Sequence, residues 1–218
     1  KKIKKEKKIK IKNKKKKNEK IKNFLKKKKK IIIFLVSFLI LGLLSFYSFN
    51  AYKENNKKKL SDRYNKLIIE FKDTDKSTVI SSMVEIIDYK DSTYSPLALY
   101  FLIDNNLIQD KNKINSLFDI LINKTALEFE IKNLIIYKKA LFNADVVSEN
   151  ELLDILDPLF KSESVWRSHA LYLVGEYFYS KNDKLKSKEF FNEILIIKNA
   201  NQDILKEAKK RLNRDLSD

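Results

Sequence analysis

Cysteine is absent, which removes disulfides, zinc–thiolate sites, iron–sulfur clusters and thiol nucleophiles together. Glycine and proline are nearly absent: Gly42, Gly175, Pro96 and Pro158 are the whole complement. A β-rich fold needs many tight turns, and those turns need Gly, Pro and Asn-Gly steps. Their scarcity predicts an all-α chain. Two isolated glycines also cannot form a phosphate-cradling loop. The single histidine, His169, has no second histidine to share a metal and leaves no choice for a Ser-His-Asp set. Glu128 and Glu130 are separated by one residue, as are Glu149 and Glu151, so each pair diverges by about 200° on a helix. These carboxylates are expected on solvated helix faces. The sequence therefore predicts no enzyme, no cofactor and no metal site.

The formal net charge of +17 suggests a nucleic-acid binder until its position is considered. Residues 1–30 hold 19 lysines against Glu6 and Glu19, so this segment alone carries +17 and the remainder is neutral. Its few apolar residues, among them Ile3, Ile9 and Ile21, cannot build a core. The segment is expected to be a disordered cytoplasmic tail, in the first place a topology signal. Two sharper roles are open to it. It could tether to anionic lipid headgroups, each lysine near the surface adding roughly 1 kcal/mol. It could also contact ribosomal RNA by neutralising phosphates.

Ile31–Phe49 reads IIIFLVSFLILGLLSFYSF, and no charge occurs from Ile31 to Tyr52. About 20 apolar residues span the ~30 Å hydrocarbon core, and Tyr47 and Tyr52 suit the far interface. A cleavable signal peptide has a shorter apolar stretch of ~7–15 residues and a small-x-small site, for which Ser48-Phe49-Asn50-Ala51 is a poor match. A retained transmembrane helix at 31–49 is expected. Lysines dense before it and sparser after it predict a cytoplasmic N-terminus and an external C-terminal domain, in the periplasm of a Gram-negative cell.

Beyond the span, residues 50–72 read as a charged stalk or first helix and 73–218 as a helical domain. Leu60, Tyr64, Leu67, Ile68 and Phe71 form one face at spacings of three and four. Asp75 or Ser77 can cap the next helix, with Val79, Ile80, Met83 and Ile87 as its stripe. Ser95-Pro96 reads as an N-cap followed by a first-turn proline. The pattern then predicts helices over Ile114–Leu121, Ala126–Phe142, Glu149–Phe160, Val165–Tyr179, Leu185–Ile197 and Asp203–Leu212. Short connections between them predict hairpins stacked as a solenoid.

The segment Ala170–Asn199 resembles a tetratricopeptide repeat. Gly175 takes the small position of its first helix and Phe178 follows. Asn182-Asp183 forms the turn, Ser187 takes the second small position, and Phe191 and Ile194 take the packing positions after it. Ile103, 72 residues before Gly175, stands as its counterpart at two periods of about 36. The wider layout resembles the YfgM-like family in its alphaproteobacterial branch. The resemblance covers about residues 31–214. It is carried by Leu156-Asp157-Pro158-Leu159, Trp166-Arg167, Ala170, the repeat itself and a closing helix. The lysine tail lies outside it. The resemblance implies an inner-membrane protein ancillary to the SecYEG translocon, with a periplasmic repeat domain that meets chaperones or translocating substrates.

Binding is the function left to such a chain. On the helix at Val165–Tyr179, Leu171, Val174, Gly175 and Phe178 are expected to face the core. His169, Tyr172, Glu176 and Tyr179 recur on a second face, which is the candidate protein-binding site if that face opens to the groove. Trp166 is expected to plug a junction between hairpins. The leading expectation is a membrane-anchored protein-interaction scaffold. The alternatives are a self-associating organiser of the envelope or of division, and a chain acting through tail contacts with ribosomes or nucleic acid.

Overall fold

The computed structural model describes residues 2–216, and every regular element in them is helical. The chain divides into two units, the first running to Lys58 and the second starting at Lys59, and each is taken by itself. The division falls inside one long helix, α1 (Lys2–Ile69).

In the first unit, Ile31, Ile33–Val36 and Phe38–Leu41 are exposed, Phe34 and Phe38 to 69% and 70%. This helix, exposed at those described positions, is long and apolar enough to cross a membrane. The helix also takes in the lysine-rich segment from Lys2 to Lys30, where the sequence argument expects disorder. That argument excludes a core, and among the described side chains Lys14–Lys17 and Lys26–Lys30 are exposed. It does not exclude helicity. Lys, Ile, Leu and Glu are serviceable helix formers, and a helix nucleated in the apolar stretch can propagate into its flank.

The second unit begins earlier than residue 73, because the end of α1 is already core. Leu60 and Tyr64 are buried, and Leu67 and Phe71 pack beside them. The Tyr64 ring meets Tyr94 at 5.8 Å, Phe71 meets Phe101 at 5.1 Å, and Arg63 pairs with Glu85. Ile68, expected on the same face, stays exposed.

The helices that follow are α2 (Lys76–Asp88), α3 (Tyr94–Asp104), α4 (Lys111–Lys124) and α5 (Phe129–Asn143). Then come α6 (Glu149–Phe160), α7 (Arg167–Ser180), α8 (Lys184–Leu195) and α9 (Gln202–Arg214). Asp75 caps α2 by accepting from the backbone N–H groups of Ser77 and Thr78. Ser148 and Glu151 close a capping box on α6. The start of α3 departs from the expected Ser95 cap. Asp91 accepts from the N–H groups of Thr93 and Tyr94, both at 2.8 Å, and α3 starts one residue before Ser95. Ser95 is buried and donates to the Ile86 carbonyl at 2.8 Å, so it ties α3 to α2. Helix α5 starts at Phe129, not Ala126, because Thr125 and Glu128 hold extended backbone.

The substantial contacts join helices one or two places apart in the chain. Helix α2 packs on α3 and α4, α5 on α6 and α7, and α7 on α8 and α9. Three buried clusters follow in sequence. The first runs from Leu60 to Ile135, the second gathers α5, α6 and α7, and the third joins Leu171, Phe191, Ile194 and Ala208. Leu171, Val174, Gly175 and Phe178 are buried, as the spacing predicts.

Candidate functional site

Helix α7 is held closely on α8. A Cβ on Gly175 would sit 2.7 Å from Cε1 of Phe191, so only glycine leaves room for that ring. Ser187, fully buried, donates to the Gly175 carbonyl at 2.9 Å across the same contact. The turn between the helices uses Asn182 at φ 62°, a left-handed position that asparagine tolerates. The Asn182 N–H donates to the Tyr179 carbonyl at 3.0 Å and the Asp183 N–H to that of Phe178 at 2.9 Å, a Schellman closure.

This packing fixes the four candidate binding residues on α7, and they divide into two neighbourhoods. His169 lies against Trp166, ring centroids 4.9 Å apart, and against Tyr137 of α5 at 5.7 Å. Trp166 stacks on Tyr137 at 5.8 Å and so joins α5 to α7. Burial pushes the His169 pKa down, against an upward pull from the Val165 carbonyl. Tyr172, Glu176 and Tyr179 converge on Arg211 of α9. The guanidinium forks onto Glu176 at 2.7 and 2.5 Å and lies 4.9 Å over the Tyr179 ring. It also reaches Asp215 at 2.9 Å, and Arg214 adds two further bonds to that carboxylate. Tyr172 packs on Phe191 at 5.3 Å, and burial, with the Glu176 charge, pushes its pKa up. The face expected to open to a groove is therefore covered at three of its four residues by α9.

The same register is open on α3. This helix also ends in a left-handed asparagine, Asn106 at φ 55°, with the same closure: the Asn106 N–H donates to Ile103 O and the Leu107 N–H to Leu102 O. Aligning the two asparagines sets the offset at 76 residues rather than 72. Leu99, fully buried, then stands opposite Gly175, and Ile103 stands opposite Tyr179. The counterparts of His169, Tyr172, Glu176 and Tyr179 become Thr93, Pro96, Tyr100 and Ile103. All four line open space between α3 and α5.

That space is a pair of adjoining cavities that share Tyr100. One, of about 380 Å³, is lined by Pro96, Leu97, Tyr100, Glu128, Ile131 and Leu134. The other, of about 280 Å³, is lined by Tyr100, Ile103, Asp104, Phe118, Lys138 and Leu141. Leu97, Ile131 and Leu141 are 39–46% exposed, high for apolar side chains beside a core. The Tyr100 hydroxyl is buried without a hydrogen-bond partner. Burial pushes its pKa up to about 12, with the Asp104 carboxylate acting in the same direction. Lys138 Nζ stands 5.9 Å over its ring. An apolar cleft with few polar groups is suited to taking side chains of another molecule.

The sequence argument missed this cleft because a period of 36 put Ile103 in the place of Gly175. The signal that finds it is the asparagine at each helix end, since the C-cap fixes helical phase better than an averaged repeat length. The carboxylates set aside on spacing have structural partners or a place at the cleft. Glu130 accepts from Ser164 Oγ at 2.6 Å, Glu149 pairs with Lys186 at 2.8 Å, Glu151 closes the capping box, and Glu128 lines the larger cavity. No family model, curated protein or solved structure matches the chain.

Proposed function

We propose that this chain is a membrane-anchored protein-interaction scaffold, held by one transmembrane helix at 31–49 and working through a tetratricopeptide-like helical domain. The observation that carries the reading is the α3–α5 cleft, apolar and open on the helix face whose α7 counterpart is covered by α9. The solenoid reading is supported by substantial contacts between helices one or two places apart and by the fit of Gly175, Ser187 and Phe191 at the α7–α8 crossing. The anchor confines the domain to one surface, so weak contacts in the cleft suffice at high local concentration.

The lysine-rich flank supports a cytoplasmic N-terminus and an external domain. The YfgM-like resemblance supports the inner membrane as the location and the SecYEG translocon, periplasmic chaperones or emerging substrates as partners. His169, Tyr172, Glu176 and Tyr179 are then a minor surface on α7.

The test is affinity purification from solubilised membranes, comparing the native chain with the pair Leu97→Lys and Ile131→Lys. Both residues are exposed, so circular dichroism should be unchanged, while captured protein should fall at least tenfold. Full capture by the folded variant removes the cleft from the function. Crosslinking in membranes separates the partners: adducts to translocon subunits support the resemblance, and adducts only between copies of this chain support self-association. A reporter fused after Asp218 should be active outside the cytoplasm.

A further inference from the structure

The lysine-rich arm of α1 is left unused by that reading. From Lys14 to Lys30 the exposed side chains include eleven lysines and one acid, Glu19. Along the helix Lys14 and Lys17, Lys16 and Lys20, Lys22 and Lys26, and Lys26 and Lys30 stand three or four residues apart, where like charges repel. A helix so crowded with like charge calls for compensating negative charge. Lys26–Lys30 run without a break into Ile31, so a span at 31–49 places these five lysines within ~8 Å of the hydrocarbon edge at a rise of ~1.5 Å per residue. Lipid phosphates are therefore the anions already at hand, at an effective concentration fixed by the tether.

We propose that the arm is a binding element for anionic phospholipid headgroups, and that α1 bends on the arm side of the span so that the arm lies along the leaflet when such lipids are present. The inference rests on the membrane-span reading. The geometry gives it a clear signature. On a straight axis normal to the bilayer, Lys14–Lys17 would stand roughly 21–26 Å beyond Ile31, well outside the ~8 Å Debye length at physiological salt. Only an arm that lies down brings those four, with Lys20 and Lys22, into contact with headgroups. A lipid-bound arm and a free arm therefore differ by two to three Debye lengths in the position of Asn18.

The absence of cysteine allows a single probe. The full chain carrying Asn18→Cys, labelled with a fluorophore, is placed in nanodiscs of phosphatidylcholine alone or mixed with phosphatidylglycerol, with a quencher attached to the headgroups. Quenching should be several-fold greater in the anionic discs and should reverse at high salt. Replacing Lys14–Lys17, Lys20 and Lys22 by Gln, with Lys26–Lys30 kept for topology, should abolish the difference. Equal quenching in the two lipids, with the chain retained in the discs through an alkaline wash, overturns the arm proposal and leaves the span intact. Loss of the chain in that wash overturns both. If RNA at equal phosphate concentration strips the arm from anionic discs, the arm is a nucleic-acid element and the lipid assignment falls.

Discussion

At the crossing of α7 and α8, one missing methyl group decides the packing. Gly175→Ala would drive a Cβ into the Phe191 ring, which is fully buried. We expect a loss of about 1–3 kcal/mol in urea unfolding of the helical domain, the usual range for an overpacked core. Ser187→Ala should cost about 1 kcal/mol, because the Gly175 carbonyl loses its buried cross-helix donor. Tyr100 should behave in the opposite way. Its hydroxyl has no partner, so Tyr100→Phe removes a buried unsatisfied group and should leave stability unchanged or raise it by up to about 1 kcal/mol. His169 supplies a pH test. Its pKa is lower in the fold than its ordinary value of about 6.5, so the unfolded chain binds the proton more readily. Its contribution is complete above about 6.5 and is lost as pH falls through the folded value. The melting temperature should fall on acidification below about pH 6.5, and His169→Gln should flatten that part of the profile. The buried packing of Gly175 and Ser187 was legible in the sequence, because both are small residues twelve apart in a repeat-like pattern. The exposure of Leu97 and Ile131 was not, since an apolar residue at helical spacing reads as core.

Among elements, α9 is the one whose role the spacing hid. Its arginine joins Glu176, thirty-five residues earlier, to Asp215 and to the Tyr179 ring. Both partners of the Arg211–Glu176 pair are about a quarter exposed, so screening is partial and Arg211→Gln should cost about 1 kcal/mol in thermal or urea unfolding. Arg214 and then Arg211 hold the Asp215 carboxyl far below the usual carboxylate range. That contribution is present above the ordinary pKa of about 3.9 and is lost as pH falls through the depressed value, so Asp215→Asn should weaken the low-pH slope of stability. The left-handed asparagines act on the same scale. Asn182→Val, at φ 62°, should cost roughly 1–2 kcal/mol, whereas Asn182→Gly should be neutral or better, as read by denaturant midpoint.

At the scale of the whole chain, charge and apolarity are segregated along the sequence. The +17 excess sits in residues 1–30, the uncharged run follows, and the rest is neutral. Salt should therefore act on the arm and leave the helical domain nearly untouched. A fragment starting at Lys59 keeps Leu60 and Tyr64, whereas one starting at residue 73 loses them and should unfold at lower denaturant, because two buried side chains leave the first cluster. Comparing the two fragments by circular dichroism in urea checks where the domain begins.

Composition and spacing were enough to determine that the chain is helical, that one stretch is long and apolar enough to cross a membrane, and that the positive charge belongs to one end. They also gave the inward faces of α2 and α7. These are local properties: helix periodicity selects a face, and the scarcity of glycine and proline leaves few other conformations. Tertiary structure alone decided which outward face is covered. The spacing of His169, Tyr172, Glu176 and Tyr179 defines a stripe but cannot say that α9 lies on three of the four, or that α3 and α5 stand apart around Tyr100. That outcome depends on how neighbouring helices are offset, which short polar connections and single caps set, and no periodicity within one helix records it.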